Sequence, residues 1–199
     1  MLKNPIPKVT NNKQFRAIGI VNGIFVPHDN KQINRGFLTD NKGEKIETVV
    51  LGKALSLLKK HIDLKKSYFW IVYPKNKNTQ NLHLQVAGIW EPYQLNDFPN
   101  NSSKTNFAKL LEELDLKDNY FSVRGELVFV NIQKKEIVIK ICPASKLKNL
   151  KNKNFKLVLK GELSLELLNS FVSLDVIRNG NSLKLISYEV IEKNFSKNT

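Results

Sequence analysis

One cysteine, one methionine and four arginines stand in a chain of 199 residues. The lone Cys142 permits no internal disulfide and no multi-cysteine metal site, which fits a reducing compartment, the cytoplasm by default. Beside Pro143 at the end of a strand, it reads as a packed thiol rather than a nucleophile. His28, His61 and His83 lie far apart, with no Cys or carboxylate at ligand spacing, so no metal site is expected. No run of some 18 apolar residues occurs, and Leu2–Gln14 mixes Lys, Asn and Pro, so neither a membrane span nor a signal peptide is expected. Phosphate loop, dinucleotide fingerprint, nucleophile elbow and paired carboxylates are missing too. The chain therefore reads as a binding protein, not an enzyme, with no catalytic residues and no cofactor.

Acidic residues are also scarce. Eighteen of them face 32 lysines and arginines, a formal charge of +14, with the basic excess shared by both halves. Such a balance favours a polyanionic partner such as nucleic acid or an anionic surface. The abundance of Lys, Asn and Ile over Arg is also what an AT-rich genome would encode, and a solvated lysine surface fits the same composition.

What is present in quantity is strand pattern, and it occurs twice. Residues 15–26 (FRAIGIVNGIFV) and 121–132 (FSVRGELVFVNI) are long β-prone runs broken near the front by Gly19 and Gly125, where a bend or bulge is expected. Second strands follow at Arg35–Thr39 and Glu136–Cys142. Third strands at Ile46–Leu51 and Phe155–Lys160 run into Gly52 and Gly161. The apolar spacing of Ala54, Leu55, Leu57, Leu58 and Ile62 predicts a helix over Lys53–Ile62, with a shorter one at Leu163–Ser170. Each half closes with a hairpin, Tyr68–Pro74 with Leu82–Trp90 and Phe171–Ile177 with Leu183–Ile191, the second around Asn179-Gly180-Asn181. Three strands, a helix and two strands is the order of an OB barrel. The expected fold is mainly β: two OB-like five-stranded barrels in tandem, joined by a helical connector.

In residues, the expected parts are a flexible N-terminal segment (1–14), a first barrel (15–92), a linker (93–119), a second barrel (120–193) and a C-terminal tail (194–199). Within the linker, Phe107, Leu110, Leu111, Leu114 and Leu116 form an apolar stripe beside Glu112, Glu113, Asp115 and Asp118. That stripe packs on a barrel or offers a docking surface.

Single-stranded nucleic acid requires cations along its phosphates and flat rings beneath its bases. The first half supplies both. Tyr68-Phe69-Trp70-Ile71-Val72-Tyr73 is apolar on both strand faces, so one ring set is expected to point outward, unless it packs on the connector or the other barrel. The candidate binding residues there are Arg16, Arg35, Phe37, Trp70, Tyr73, Lys75, Lys77 and His83. The second half supplies charge: no acid interrupts Ala144–Lys160, which contains Lys148, Lys151, Lys153 and Lys156. Arg124, Lys140 and Arg178 are candidates by strand position. The expected partner is single-stranded nucleic acid, DNA or RNA, held without regard to sequence. The alternative is a protein-binding adaptor using the aromatic face or the acidic connector.

The segment LGKALSLLKKHIDL…WIVYPK…LHLQVAGIWEP resembles part of a cyanobacterial protein family that brings no function with it, over roughly residues 15–92. The strand order over most of the chain resembles tandem OB-fold nucleic-acid binders.

Overall fold

Gly23 is where the first long strand changes partners. In the computed structural model, which describes residues 4–29, 31–76, 81–91, 112–142 and 154–195, strand β1 (Arg16–Pro27) pairs through Gly19–Gly23 with β4 (Tyr68–Asn76) and through Gly23–Pro27 with β2 (Arg35–Asp40). A Cβ at Gly23 would sit 2.3 Å from the Thr39 carbonyl oxygen, so only glycine lets the two edges of the sheet converge there. The bend expected at Gly19 therefore lies four residues on. Gly19 instead faces the ring of Phe121, which a Cβ would meet at 2.2 Å.

Strands β3 (Lys45–Val50) and β5 (Leu82–Trp90) complete the ring β1-β2-β3-β5-β4, with β3 and β5 parallel. Between β3 and β4, helix α1 (Gly52–His61) turns Ala54 and Leu58 into the core. The second half repeats this order with β6 (Tyr120–Asn131), β7 (Glu136–Ile141), β8 (Phe155–Lys160), β9 (Phe171–Asn179) and β10 (Ser182–Glu192). Its ring is closed by β6–β9 pairing and by one parallel bridge, Lys184 to Lys160. The helix expected at 163–170 is a single 3₁₀ turn, Leu165–Leu167. It stops because Asn169 adopts φ 64° and the backbone turns back to exchange hydrogen bonds between Leu127 and Asn169–Ser170. Each half of the chain is thus an OB fold.

The barrels are not beads on a string. β1 pairs antiparallel with β6 over Arg16–Gly19 and Phe121–Arg124, so one ten-stranded sheet runs through both. Residues 4–14, expected to be flexible, lie along this seam, where Ile6 is buried and Pro7 and Asn12 accept hydrogen bonds from Arg16 and Arg124.

A second tie is ionic. Arg178 on β9 is fully buried and paired with Asp40 at the end of β2. Its Nε donates to Asn119 Oδ1 (2.7 Å), and one terminal nitrogen donates to the Gly180 carbonyl (2.9 Å). The other Asp40 oxygen accepts from the turn amides of Lys42 and Glu44, both at 2.9 Å. A buried pair satisfied this fully fixes geometry, and deleting one partner strands the other charge out of water.

A small cluster outside the main core covers the first barrel's flank: Ile20, Phe69 and Trp90 beneath Ile6, with Leu114, Leu116 and Tyr120 packed alongside. The expected connector helix lies, at Phe107, Leu110 and Leu111, outside the described residues. Desolvation, then the hydrogen bond to Asp175 (2.7 Å), pushes the Tyr120 phenol up to about 12.

Two outcomes follow from these contacts. Arg178→Met lowers the unfolding free energy in urea by about 3–5 kcal/mol; a loss under ~1 kcal/mol, the range of exposed pairs, would show that the pair does not hold the barrels. Tyr120's folded value lies above the ordinary 10.0, so its contribution to stability is present below pH 10 and is lost as pH rises through about 12. The stability difference between wild type and Tyr120→Phe therefore shrinks across that interval, and a difference that stays constant would mean the phenol is not held.

Candidate nucleic-acid interface

β-Strand alternation decides which candidate side chains reach solvent. Trp70 does not. Its ring is completely buried, tilted against Phe25 with centroids 5.8 Å apart, and its Nε1 donates to the Gly23 carbonyl at 2.9 Å. The expectation that it stacks on a base is corrected: truncating it to Ala would cost about 3–5 kcal/mol of packing, so such a variant reports on folding. Tyr68 and Phe69 are buried too, the latter edge-on to Trp90 under the connector leucines. Tyr68, Phe69 and Trp70 are therefore packed inside the molecule. Tyr73 is the exception in this run, 40% exposed.

Arg124 and Arg178 are likewise interior. Arg178 is consumed by Asp40, and Arg124 donates to Ser173 Oγ (2.8 Å) and the Asn12 carbonyl beneath the N-terminal segment. Neither faces a ligand surface, and both expectations are corrected by these internal partners. Lys77, Lys148, Lys151 and Lys153 lie outside the described residues.

The remaining candidates fall into three groups. On the outer face of β1–β2–β3, Arg35 is exposed and Phe37 is half-buried, its ring edge-on to His28 at 4.6 Å. Val26, opposite Phe37, is exposed, while Glu47 on the other side is held by His28 at 2.8 Å.

The second group lines a groove between the barrels, a cavity of about 340 Å³ walled by Tyr73, Lys75, Phe155, Ile141, Arg16 and Lys8. The Lys75 ammonium sits 3.3 Å above the centroid of Phe155, a cation–π contact, and burial lowers its pKa. Phe155 thus has one face occupied, and Tyr73 is the open ring. His83 is the cross-strand partner of Lys75. Arg16 stands at the back wall, donating to the Pro7 carbonyl and Ser122 Oγ, each at 2.6 Å; desolvation lowers its pKa.

The third group is the outer face of β6–β7–β8. Lys140 and Lys156 are directly opposite each other, a like-charge pair that is unfavourable without an anion. Glu126 neutralises Lys140 at 2.9 Å, with Lys140 raised by that hydrogen bond, whereas Lys156 has no ion pair among the described residues. Phe129, half exposed, lies across from Val138, which faces Val158. Sequence reasoning missed Phe129. The register shift between Leu127 and Phe129 turns it outward, and no residue in the run announces that shift. The groove and this face meet along β8, where Phe155 lines one and Lys156 the other.

Among the described residues, no cluster of three or more His, Cys, Asp or Glu is placed to hold a metal ion, and no helix is long and apolar enough to cross a membrane.

Residues 17–97 match the N-terminal OB-fold domain of the PatR RNA-binding protein, and residues 123–192 match a C-terminal cyanobacterial OB-fold-like RNA-binding domain. No curated protein matches closely. Among solved structures, a mutant of the single-stranded DNA-binding protein from Thermus aquaticus is similar over 89% of this chain and 95% of its own, at 8% identity and a TM-score of 0.44. Both barrels, in the same order and matched in turn, make the chain a member of a cyanobacterial family built from two OB folds in tandem, whose domains are described as RNA-binding.

Proposed function

We propose that this protein binds single-stranded RNA with little regard to sequence, along a track that enters the inter-barrel groove and continues over β8. The observation that carries the reading is Tyr73, an exposed ring beside a partly desolvated lysine in the groove. A base stacks on Tyr73 while Lys75 and Lys8 meet the flanking phosphates. Lys156 and Lys140, crowded together on the adjoining face, gain from any anion laid across them. Phe129 offers a second ring there.

RNA is favoured over DNA because both matched domains are described as RNA-binding. Indifference to sequence follows from the chemistry: every base has a face to stack, and lysine reads charge alone. The protein acts by binding rather than by catalysis, and a cytoplasmic setting suits it.

Fluorescence anisotropy with labelled strands of about 20 nucleotides, long enough for two OB sites of roughly 4–16 nucleotides each, tests this. Single-stranded RNA binds more tightly than duplex, and affinity falls steeply with salt as counterions are released. Tyr73→Ala weakens binding by about 1–3 kcal/mol, and Lys75→Ala flattens the salt slope by about one unit. Binding equal for every polyanion and unchanged in Tyr73→Ala would reduce the +14 to bulk charge and end the proposal.

A further inference from the structure

Next to the groove, and sharing Pro7, Lys8 and Arg16 with it, the N-terminal segment, the connector and the β9–β10 hairpin enclose a larger cleft of about 680 Å³. Asp175 is exposed at its wall, yet it is held in one orientation. Tyr120 Oη donates to Oδ1 (2.7 Å) and Ser187 Oγ to Oδ2 (2.6 Å). No cation lies within ion-pair distance of this carboxylate among the described residues, although Arg16, Lys8 and Lys117 line the same cleft, Lys117 facing Asp115 at 3.8 Å on its rim. A solvated surface aspartate needs no such pair of clamps.

A carboxylate offers about four acceptor sites on its two oxygens. The two hydroxyls take one on each, leaving acceptor capacity on both oxygens of a carboxylate that lines the cleft. A ligand that completes this arrangement presents two adjacent N–H donors. It is also anionic elsewhere, because the lysines and arginine around the cleft repel a simple cation. Apolar side chains flank the space, with Ile186 61% exposed, as the flat face of a base requires. Among the common bases guanine alone carries adjacent donors, N1–H and the N2 amino group, on its pairing edge. Adenine, cytosine and uracil each set an acceptor beside their donor, which the carboxylate repels.

We propose that this cleft is a guanine subsite, in which Asp175, oriented by Tyr120 and Ser187, accepts both hydrogen bonds from a guanine of the bound strand. It rests on the single-strand reading and adds to it one position at which the base matters. The site lies off the Tyr73 groove, so the two act on different nucleotides.

The test compares a uridine-only RNA with the same strand bearing isolated guanosines, too dispersed to self-associate, by anisotropy with the full chain. Guanosine tightens binding about tenfold, the scale of one good bidentate base contact; inosine, lacking the N2 amine, recovers only part of that gain. Asp175→Asn abolishes the guanosine gain while leaving the uridine strand bound as before, and Tyr120→Phe reduces it. Tyr73→Ala weakens both strands alike and preserves their ratio, a pattern that separates the groove from the cleft. Uridine strands that bind while guanosine adds nothing, or a gain that survives Asp175→Asn, would overturn the subsite and leave the single-strand reading standing. If neither strand binds, that reading fails. Guanosine monophosphate titrated into labelled protein then decides the cleft alone: amide shifts confined to Tyr120, Asp175 and Ser187 uphold it, and their absence overturns it.

Discussion

Arg178 and Asp40 meet across 138 residues of sequence, out of reach of water. Burying a guanidinium and a carboxylate is costly unless each remaining polar atom is met, and here Asn119, the Gly180 carbonyl and the turn amides of Lys42 and Glu44 meet them. The pair therefore tolerates one arrangement of the two barrels. Asp118, pressed into the same region and accepting from the Asn22 amide at 2.7 Å, is raised above the ordinary carboxylate range chiefly by desolvation. Its ionised form is disfavoured by the burial that makes the seam rigid. The β1–β6 ladder adds direction: it runs antiparallel from Arg16 to Gly19, so the barrels share a sheet and cannot swivel about a linker.

That rigidity determines what the surface has to offer. The seam consumes the arginines, since the terminal nitrogens of Arg16, Arg124 and Arg178 are spent on backbone carbonyls, hydroxyls or a buried acid. Arginine suits this duty because its planar fork satisfies several acceptors at once. Arg35 alone of the four is exposed, leaving lysine to dominate the outer faces. Lysine gives charge without directional reading, and the division of labour between the two cations separates architecture from contact. The aromatics divide similarly: Trp70, Phe25, Phe121 and Phe171 fill the interiors, and among the described residues the rings most open to water are Phe129, displaced by a bulge, Tyr73 at a barrel's rim and Tyr188 on β10.

The barrels were legible because strands such as β2, β3 and β7 are half buried and their alternation shows; even the boundaries of β8 and β5 coincide with the apolar runs. The placement of the rings was not. Tyr68–Tyr73 is apolar on both faces because both are covered, one by the barrel core and the other by Ile6, Leu114 and Leu116, which come from remote parts of the chain. Within the strand, nothing distinguishes a second packed face from an exposed stacking platform. Arg178 misled in the same way. Strand position makes it a candidate, and its partner lies in the other barrel. The charge surplus was legible as a total, but its distribution depended on which cations the seam withdrew.

A seam that is rigid also fixes distances between contact points, which a flexible linker would average away. On the proposed track, a strand crossing the molecule would meet its cations and rings in a set order, with Arg16 lining both the Tyr73 groove and the Asp175 cleft. Arg16 serves both without being free to either, because its guanidinium is held by Pro7 and Ser122. Desolvation lowers its pKa, and the nearby Tyr120 and Asp175 act in the opposite direction. The partition between groove and cleft is thus a charged wall whose position is set by the N-terminal segment. In the proposed reading, lysines distributed over the outer faces hold any strand and a carboxylate clamped in a cleft discriminates, so a protein dominated by the first kind of contact gains selectivity from a single instance of the second.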